Sequence, residues 1–219
     1  PSAYARAAQR RCTKSRIQTL RRTIRAIKIR NLSKLSKNNY YDDKAWLALA
    51  LTRAETLPKF GAIRGRNELI QNIFDGVDSL TGVLPWRTNE NFYNVPTNGP
   101  AAILAARVGE LELSEHLVDW VFDNLISEKG LVMDGLHMRM HGAQNAVDTH
   151  SYCQGVMLGA CTELAIAQRN QAGVQPGEVS SVGISHITRV HQLVEAVDEH
   201  MANKAGVING RTGGGDGGL

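Results

Sequence analysis

Five stretches of this chain, residues 69–80, 101–108, 114–126, 155–167 and 185–201, repeat apolar side chains at steps of three and four. That period puts the apolar residues on one face of a helix, and no run supports a sheet core. The pattern therefore predicts an all-α fold, with any strands short and confined to loops. Ser114, with Glu115 and His116 behind it, reads as a helix start, and Gly130 as a stop. Between the helices lie loops at 81–100 and 130–151, rich in Gly, Asn, Pro and Trp, and loops of that length usually carry function. Residues 168–183 are polar with Gly and Pro and read as a surface excursion. No repeat is visible beyond helix, loop, helix.

Charge is unevenly spread. The chain of 219 residues has a net charge of +4, yet residues 1–37 hold twelve Lys and Arg and no acid, which leaves −8 for the rest. Within that arm Ile17, Leu20, Ile24 and Ile27 recur at helical steps among the cations, so it reads as a basic amphipathic helix belonging to the same domain as the body, 38–219. Packing against the body with a solvated charged face accounts for such a helix. An anionic membrane surface or a phosphate-bearing glycan is the partner that its charge suits. Nucleic acid is disfavoured, because no reading motif accompanies the charge and most of the body is acidic.

The segment with most chemical content is Asn38-Asn39-Tyr40-Tyr41-Asp42-Asp43-Lys44-Ala45-Trp46-Leu47-Ala48-Leu49-Ala50. Residues 45–54 lack Gly and Pro and read as a largely buried helix, with the Asn-Asn-Tyr-Tyr run as its entry loop. Neighbouring side chains diverge by about 100° on a helix, so Asp42 and Asp43 can serve one cleft only at an element's end. There the helix dipole favours an ionised carboxylate, while a second carboxyl nearby is pushed toward its protonated form. One anion and one acid are what glycosidases use, and a separation of about 5 Å suits the retaining route. Taken alone, the pair fits helix capping better than catalysis.

The remaining segments change that balance. Tyr41-Asp42-Asp43-Lys44-Ala45-Trp46, Gly82-Val83-Leu84-Pro85-Trp86-Arg87, Tyr93-Asn94-Val95-Pro96-Thr97-Asn98-Gly99-Pro100, Gly130-Leu131-Val132-Met133-Asp134-Gly135, Thr149-His150-Ser151-Tyr152-Cys153-Gln154-Gly155 and Gly214-Gly215-Asp216-Gly217-Gly218-Leu219 occur in the order and spacing found in glycoside hydrolase family 76. The chain resembles that family, the endo-α-1,6-mannanases. The resemblance implies an α/α toroid and hydrolysis of α-1,6-linked mannose with retention, on a mannan or a mannosylated glycolipid. It implies Asp42 as nucleophile and Asp43 as acid/base. It offers Tyr41, Trp46, Trp86, Tyr93, Asn94, Asn98, Asp134, Tyr152 and Gln154 as sugar or cleft contacts, and it needs no metal or other cofactor. Leu47 stands where the family has a second Trp, the loop before Trp86 is thinner in Gly, and Cys153 replaces an Asn. A twelve-helix toroid normally takes a longer chain, and this one starts without Met and stops at Leu219, so both ends are expected to continue.

Two other activities share these residues. Transglycosylation would pass the same mannosyl intermediate to a sugar acceptor, and a non-catalytic glycan-binding protein would keep the cleft without turnover.

Cys12, Cys153 and Cys161 are too few and too scattered for a disulfide framework. Eight residues on one helix would put Cys153 and Cys161 about 12 Å apart, beyond bridging distance. His137, His141, His150 and Cys153 have metal-ligand chemistry, but Gly135 and Gly142 interrupt any helix there and no His-Glu-x-x-His motif forms, so they read as loop and cleft residues. Residues 213–218, five Gly and one Asp, lack the Lys-Ser/Thr of a phosphate loop and read as flexible. No Gly-x-Ser-x-Gly elbow supports a serine nucleophile. No signal peptide is visible, which leaves cytoplasm and cell envelope both open as compartments.

Overall fold

The computed structural model describes residues 2–32, 34–58 and 60–208. The glycine-rich segment 213–218 and the end of the family-like pattern at 214–219 lie outside these residues. The chain divides between Val77 and Asp78 into two compact units.

The first unit holds α1 (Ser2–Arg10), α2 (Lys14–Arg30), a 3₁₀ turn at Leu35–Lys37, α3 (Tyr41–Glu55) and α4 (Arg66–Phe74). The arm read as one helix is two. The break falls at Arg11–Thr13, where the Thr13 hydroxyl accepts a hydrogen bond from the Arg16 amide (3.3 Å) and starts α2 as its N-cap. The Arg16 guanidinium then donates back to the carbonyls of Ala7 (2.6 Å) and Arg11 (3.2 Å), satisfying the open end of α1. Ala5 and Ala8 of α1 and Ala45, Ala48 and Leu51 of α3 are buried, so small residues let these two helices pack closely. α4 is shorter than the periodicity predicts. After Asp75 and Gly76 the Asp78 carboxylate accepts from the Leu80 amide (2.7 Å), which turns the chain and leaves Leu80 fully outside.

The second unit holds β1 (Phe92–Asn94), α5 (Val95–Val108), α6 (Leu111–Asn124), β2 (Gly135–Arg139), β3 (Gly142–Ala146), α7 (Ser151–Gln171) and α8 (Ile184–His200). Helix α5 is apolar nearly all round and is buried from Val95 to Ala106 except at Pro96, which makes it the unit's centre. It packs against α6 and α7, and α7 against α8. Its first turn lies in what the sequence presents as a loop, because Pro96 at the helix start needs no amide hydrogen bond there. Ser114 does not begin α6. Its hydroxyl is buried and donates to the Ala102 carbonyl (2.9 Å), tying α6 to α5, and the helix starts at Leu111. The Arg107–Glu163 and Arg189–Asp119 ion pairs link α5 to α7 and α8 to α6.

The three strands form an antiparallel sheet in the order β1-β2-β3, with Asn94 opposite Gly135 and Tyr93 opposite Leu136. A Cβ at position 135 would lie 2.5 Å from the Tyr93 carbonyl oxygen, so this strand pair closes only over glycine. Gly135→Ala should therefore lower stability by about 1–3 kcal/mol, as overpacking against backbone does. Thermal or urea unfolding measures it, and an unchanged midpoint would disprove the constraint.

All three cysteines are free, Cys12 exposed and the other two buried on α7. Burial raises the Cys153 thiol well above the ordinary range and pushes Cys161 up to about 12. Thiolate is the reactive form, so a disulfide reagent should titrate one thiol in the native protein and three in denaturant. Two or more fast native thiols would refute this.

Candidate active site

The aspartate pair lies in the first turn of α3. Tyr40 is the N-cap and contributes no side-chain cap, so Asp42 and Asp43 are second and third in the helix rather than capping residues. The Asp42 carboxylate accepts from the Asp43 amide (2.7 Å), which engages one of the helix's open donors, and Asp42 is half-buried. Asp43 is exposed, and its carboxylate accepts from the Asn38 amide group (2.8 Å). Both carboxylates thus sit where the helix dipole favours negative charge.

Behind them Tyr41 is buried, and Lys44 stands 4.1 Å over its ring while donating to the Asn72 side chain (2.9 Å). Burial lowers the Lys44 pKa. Gly76 leaves room for the Tyr41 ring, since a Cβ there would overlap it. A cleft of about 450 Å³ opens beside this turn, lined by Asn38, Asp43, Lys44 and Trp46 together with Ile27 and Leu35. Trp46 is 46% exposed and offers a flat apolar face there. Acid, cation, amide and indole around one opening are the groups that bind a sugar's hydroxyls and its apolar face. Lys44 and Asn72 were not among the residues singled out from sequence. A lysine beginning a run of otherwise apolar helix was the available signal for the first, and Asn72 offered none, being 28 residues away.

The other sequence-predicted residues lie in the second unit and gather where β1 runs into α5 and where β2 and α7 begin. Asn98 is fully buried. Its carboxamide accepts from the Leu84 amide and donates to the carbonyls of Leu84 and Asn94, all at 2.9–3.0 Å. Gln154 does the same for Val132, accepting from its amide (2.8 Å) and donating to its carbonyl (2.7 Å), with a further bond to the His150 carbonyl (3.0 Å). Both carboxamides are engaged in holding loop backbone. Tyr93 is buried and donates to Asp78 (2.8 Å). Asn94 is buried beside it on β1, and its side-chain oxygen has no hydrogen-bond partner among the described residues. Trp86 meets Phe92 edge to face at 6.2 Å, and Phe92 stacks on His137 at 4.3 Å.

Asp134 and Tyr152 are the more open members. Tyr152 is 42% exposed, stacks on His150 at 5.3 Å and donates to the Asp134 carboxylate (3.4 Å), which the Cys153 thiol also approaches (3.7 Å). Among the described residues no three His, Cys, Asp or Glu side chains converge as a metal site.

Burial raises the Asp134 pKa, against the opposing pull of His150 and the two hydroxyl and thiol donors. A carboxyl whose folded pKa lies above its unfolded one favours folding while protonated. Its contribution is whole below about pH 3.9 and is lost as pH rises through the folded pKa. Asp134→Asn should therefore raise the melting temperature at neutral pH, with the gain shrinking as pH falls toward 4. A gain that does not vary with pH would contradict this.

A comparison with curated proteins finds no match. Among solved structures, the Lin0763 protein of Listeria innocua is 22% identical with a TM-score of 0.75, over 96% of this chain and 59% of its own. An inactive variant of the α-1,6-mannanase GH76A of Salegentibacter sp. HEL1_6, with two consecutive aspartates replaced by alanine and α-1,6-mannotetrose bound, is 24% identical with a TM-score of 0.75, over 97% of this chain and 62% of its own. Dfg5 of Chaetomium thermophilum, in complex with glucosamine, is 18% identical with a TM-score of 0.61, over 78% of this chain and 44% of its own. The chain thus spans about three-fifths of the length of the first two. These likenesses show the fold, that of the α/α-toroid enzymes, present here in part. The model of glycosyl hydrolase family 76 matches residues 28–212, most of the chain and every described segment of the predicted site, and the chain belongs to that family.

Proposed function

We propose that this chain carries the nucleophile and the acid/base of a retaining endo-α-1,6-mannanase. The observation that carries the reading is the consecutive pair Asp42-Asp43 opening α3, with Asp43 on a cleft it shares with Lys44 and Trp46. Support comes from the Salegentibacter mannanase, which is inactive when two consecutive aspartates are replaced.

In this reading the Asp42 carboxylate attacks the anomeric carbon while the Asp43 carboxyl gives its proton to the departing glycosidic oxygen. The C–O bond breaks, the leaving sugar departs as an alcohol, and a mannosyl ester remains on Asp42. Asp43, now an anion, takes a proton from water as that water's oxygen attacks the ester-linked carbon. Asp42 is released and the second inversion restores the original configuration. Asn38 holds the Asp43 carboxylate in place, and the dipole of α3 favours the ionised form of Asp42. Tyr152 and Asp134 are the further sugar contacts we propose, with Trp46 and Trp86 as platforms. Asn98 and Gln154 act through the loops they hold.

Linear α-1,6-mannan should yield oligosaccharides that are first released as α-anomers. Asp42→Asn and Asp43→Asn should each cut the rate by about 10²–10⁴-fold or more, with the circular dichroism spectrum unchanged. Longer products at high acceptor concentration would identify transglycosylation by the same pair. Binding of mannotetrose without turnover, unaltered in either variant, would replace the enzyme reading with a glycan-binding one.

A further inference from the structure

The first 77 residues contain seventeen Lys and Arg against five Asp and Glu, a net +12, whereas residues 78–219 contain eight against sixteen, a net −8. Helix α2 sorts the first unit's cations by face. Leu20 and Ile24 are buried and Ile17 and Ile27 half-buried, so this side packs inward. At about 100° per residue the opposite side presents Lys14, Gln18, Arg22, Arg25 and Ile29, and all five are exposed. Among the described residues no ion pair joins Lys14, Arg22, Arg25 or Arg30 to a carboxylate.

Two aliphatic side chains protrude at the end of this cationic face. Ile29 is 65% exposed and Leu32 is 72% exposed. Leu32 has a φ of +50°, a left-handed conformation that glycine or asparagine ordinarily fills after a helix. A bulky apolar residue is thus held outward at a backbone cost, next to arginines with no ion pair of their own.

We propose that this face docks the chain on an anionic lipid bilayer, with the cations at the phosphates and Ile29 and Leu32 in the interfacial layer. The cations alone would suit any polyanion, and the aliphatic pair decides between them. Surfaces that hold single strands of nucleic acid combine basic grooves with aromatic rings that stack on bases, and residues 14–37 contain no aromatic residue. A duplex is held chiefly through its phosphates, which gives two protruding aliphatic side chains no apolar layer to enter. A lipid interface takes both the charge and the apolar side chains. Among the described residues no helix is long and apolar enough to cross a membrane, and the proposed contact is made by this exposed face alone. It is independent of the chemistry proposed for Asp42 and Asp43.

Co-sedimentation of the purified chain with lipid vesicles tests it. The chain should pellet with phosphatidylcholine vesicles containing about a third phosphatidylserine, stay in solution with pure phosphatidylcholine, and lose affinity as salt shortens the Debye length. Arg22→Gln with Arg25→Gln should weaken partition by roughly 25-fold, at about fivefold per cation. Ile29→Ser with Leu32→Ser should weaken it several-fold at constant salt. These side chains are exposed, so the variants should keep the wild-type helical spectrum, and circular dichroism checks that. Failure of the folded wild-type chain to bind anionic vesicles overturns the proposal. Vesicle binding that the aliphatic variant leaves intact, with duplex DNA held as tightly, overturns it in favour of a general polyanion surface.

Discussion

Two buried carboxamides do what regular secondary structure cannot do in the second unit. Loops that run into an interior carry backbone donors and acceptors that must be paired there. Asn98 pairs both backbone groups of Leu84, and Gln154 pairs both of Val132, each with a third bond to a carbonyl one helical turn behind it. One amide on α5 and one on α7 thereby fix the loops that carry Trp86 and Asp134 relative to the central helices. Without them these loops would hold unsatisfied polar groups, at a cost of about 1–3 kcal/mol for each group. The buried polar residues are what allow long irregular segments to occupy defined positions on a helical core.

The aspartate pair depends on a different device. Its place is set by where α3 begins, and that start is held by the packing of Tyr41 and Lys44 beneath it, not by a side-chain cap. Lys44 loses solvation on burial and recovers part of it through the Tyr41 ring and Asn72. Support under the two carboxylates suits chemistry that requires fixed geometry, and the two have different surroundings. Asp42 leans on its own helix, while Asp43 faces the cleft with Asn38.

Much of this architecture was legible in the chain. Apolar spacing located α5 to α8 because a helix face that meets a core must repeat every three to four residues. The family-like segments named the candidate residues, because they set particular residue types at particular loop positions. The limits of the elements were less legible. Ser114 looked like a cap, since a hydroxyl before two polar residues is a capping signal, and nothing local announced that a carbonyl of α5 would take it instead. In the basic arm the helical period covered Ile17 to Ile27, which lies inside α2, and the separate helix before Thr13 had no such apolar repeat to mark it.

The sequence by itself determined the helical class, the family pattern, the free thiols and the division of charge between a basic start and an acidic remainder. All of these follow from residue identity and spacing, which need no knowledge of neighbours in space. Tertiary structure decided which polar residues serve the fold and which face the cleft. Asn98, Gln154 and Asp43 are equally polar as letters, but burial consumes every hydrogen-bonding group of the two amides and leaves the carboxylate open to solvent. Burial is a property of packing between segments distant along the chain, and it is there that capacity for binding is either spent or kept.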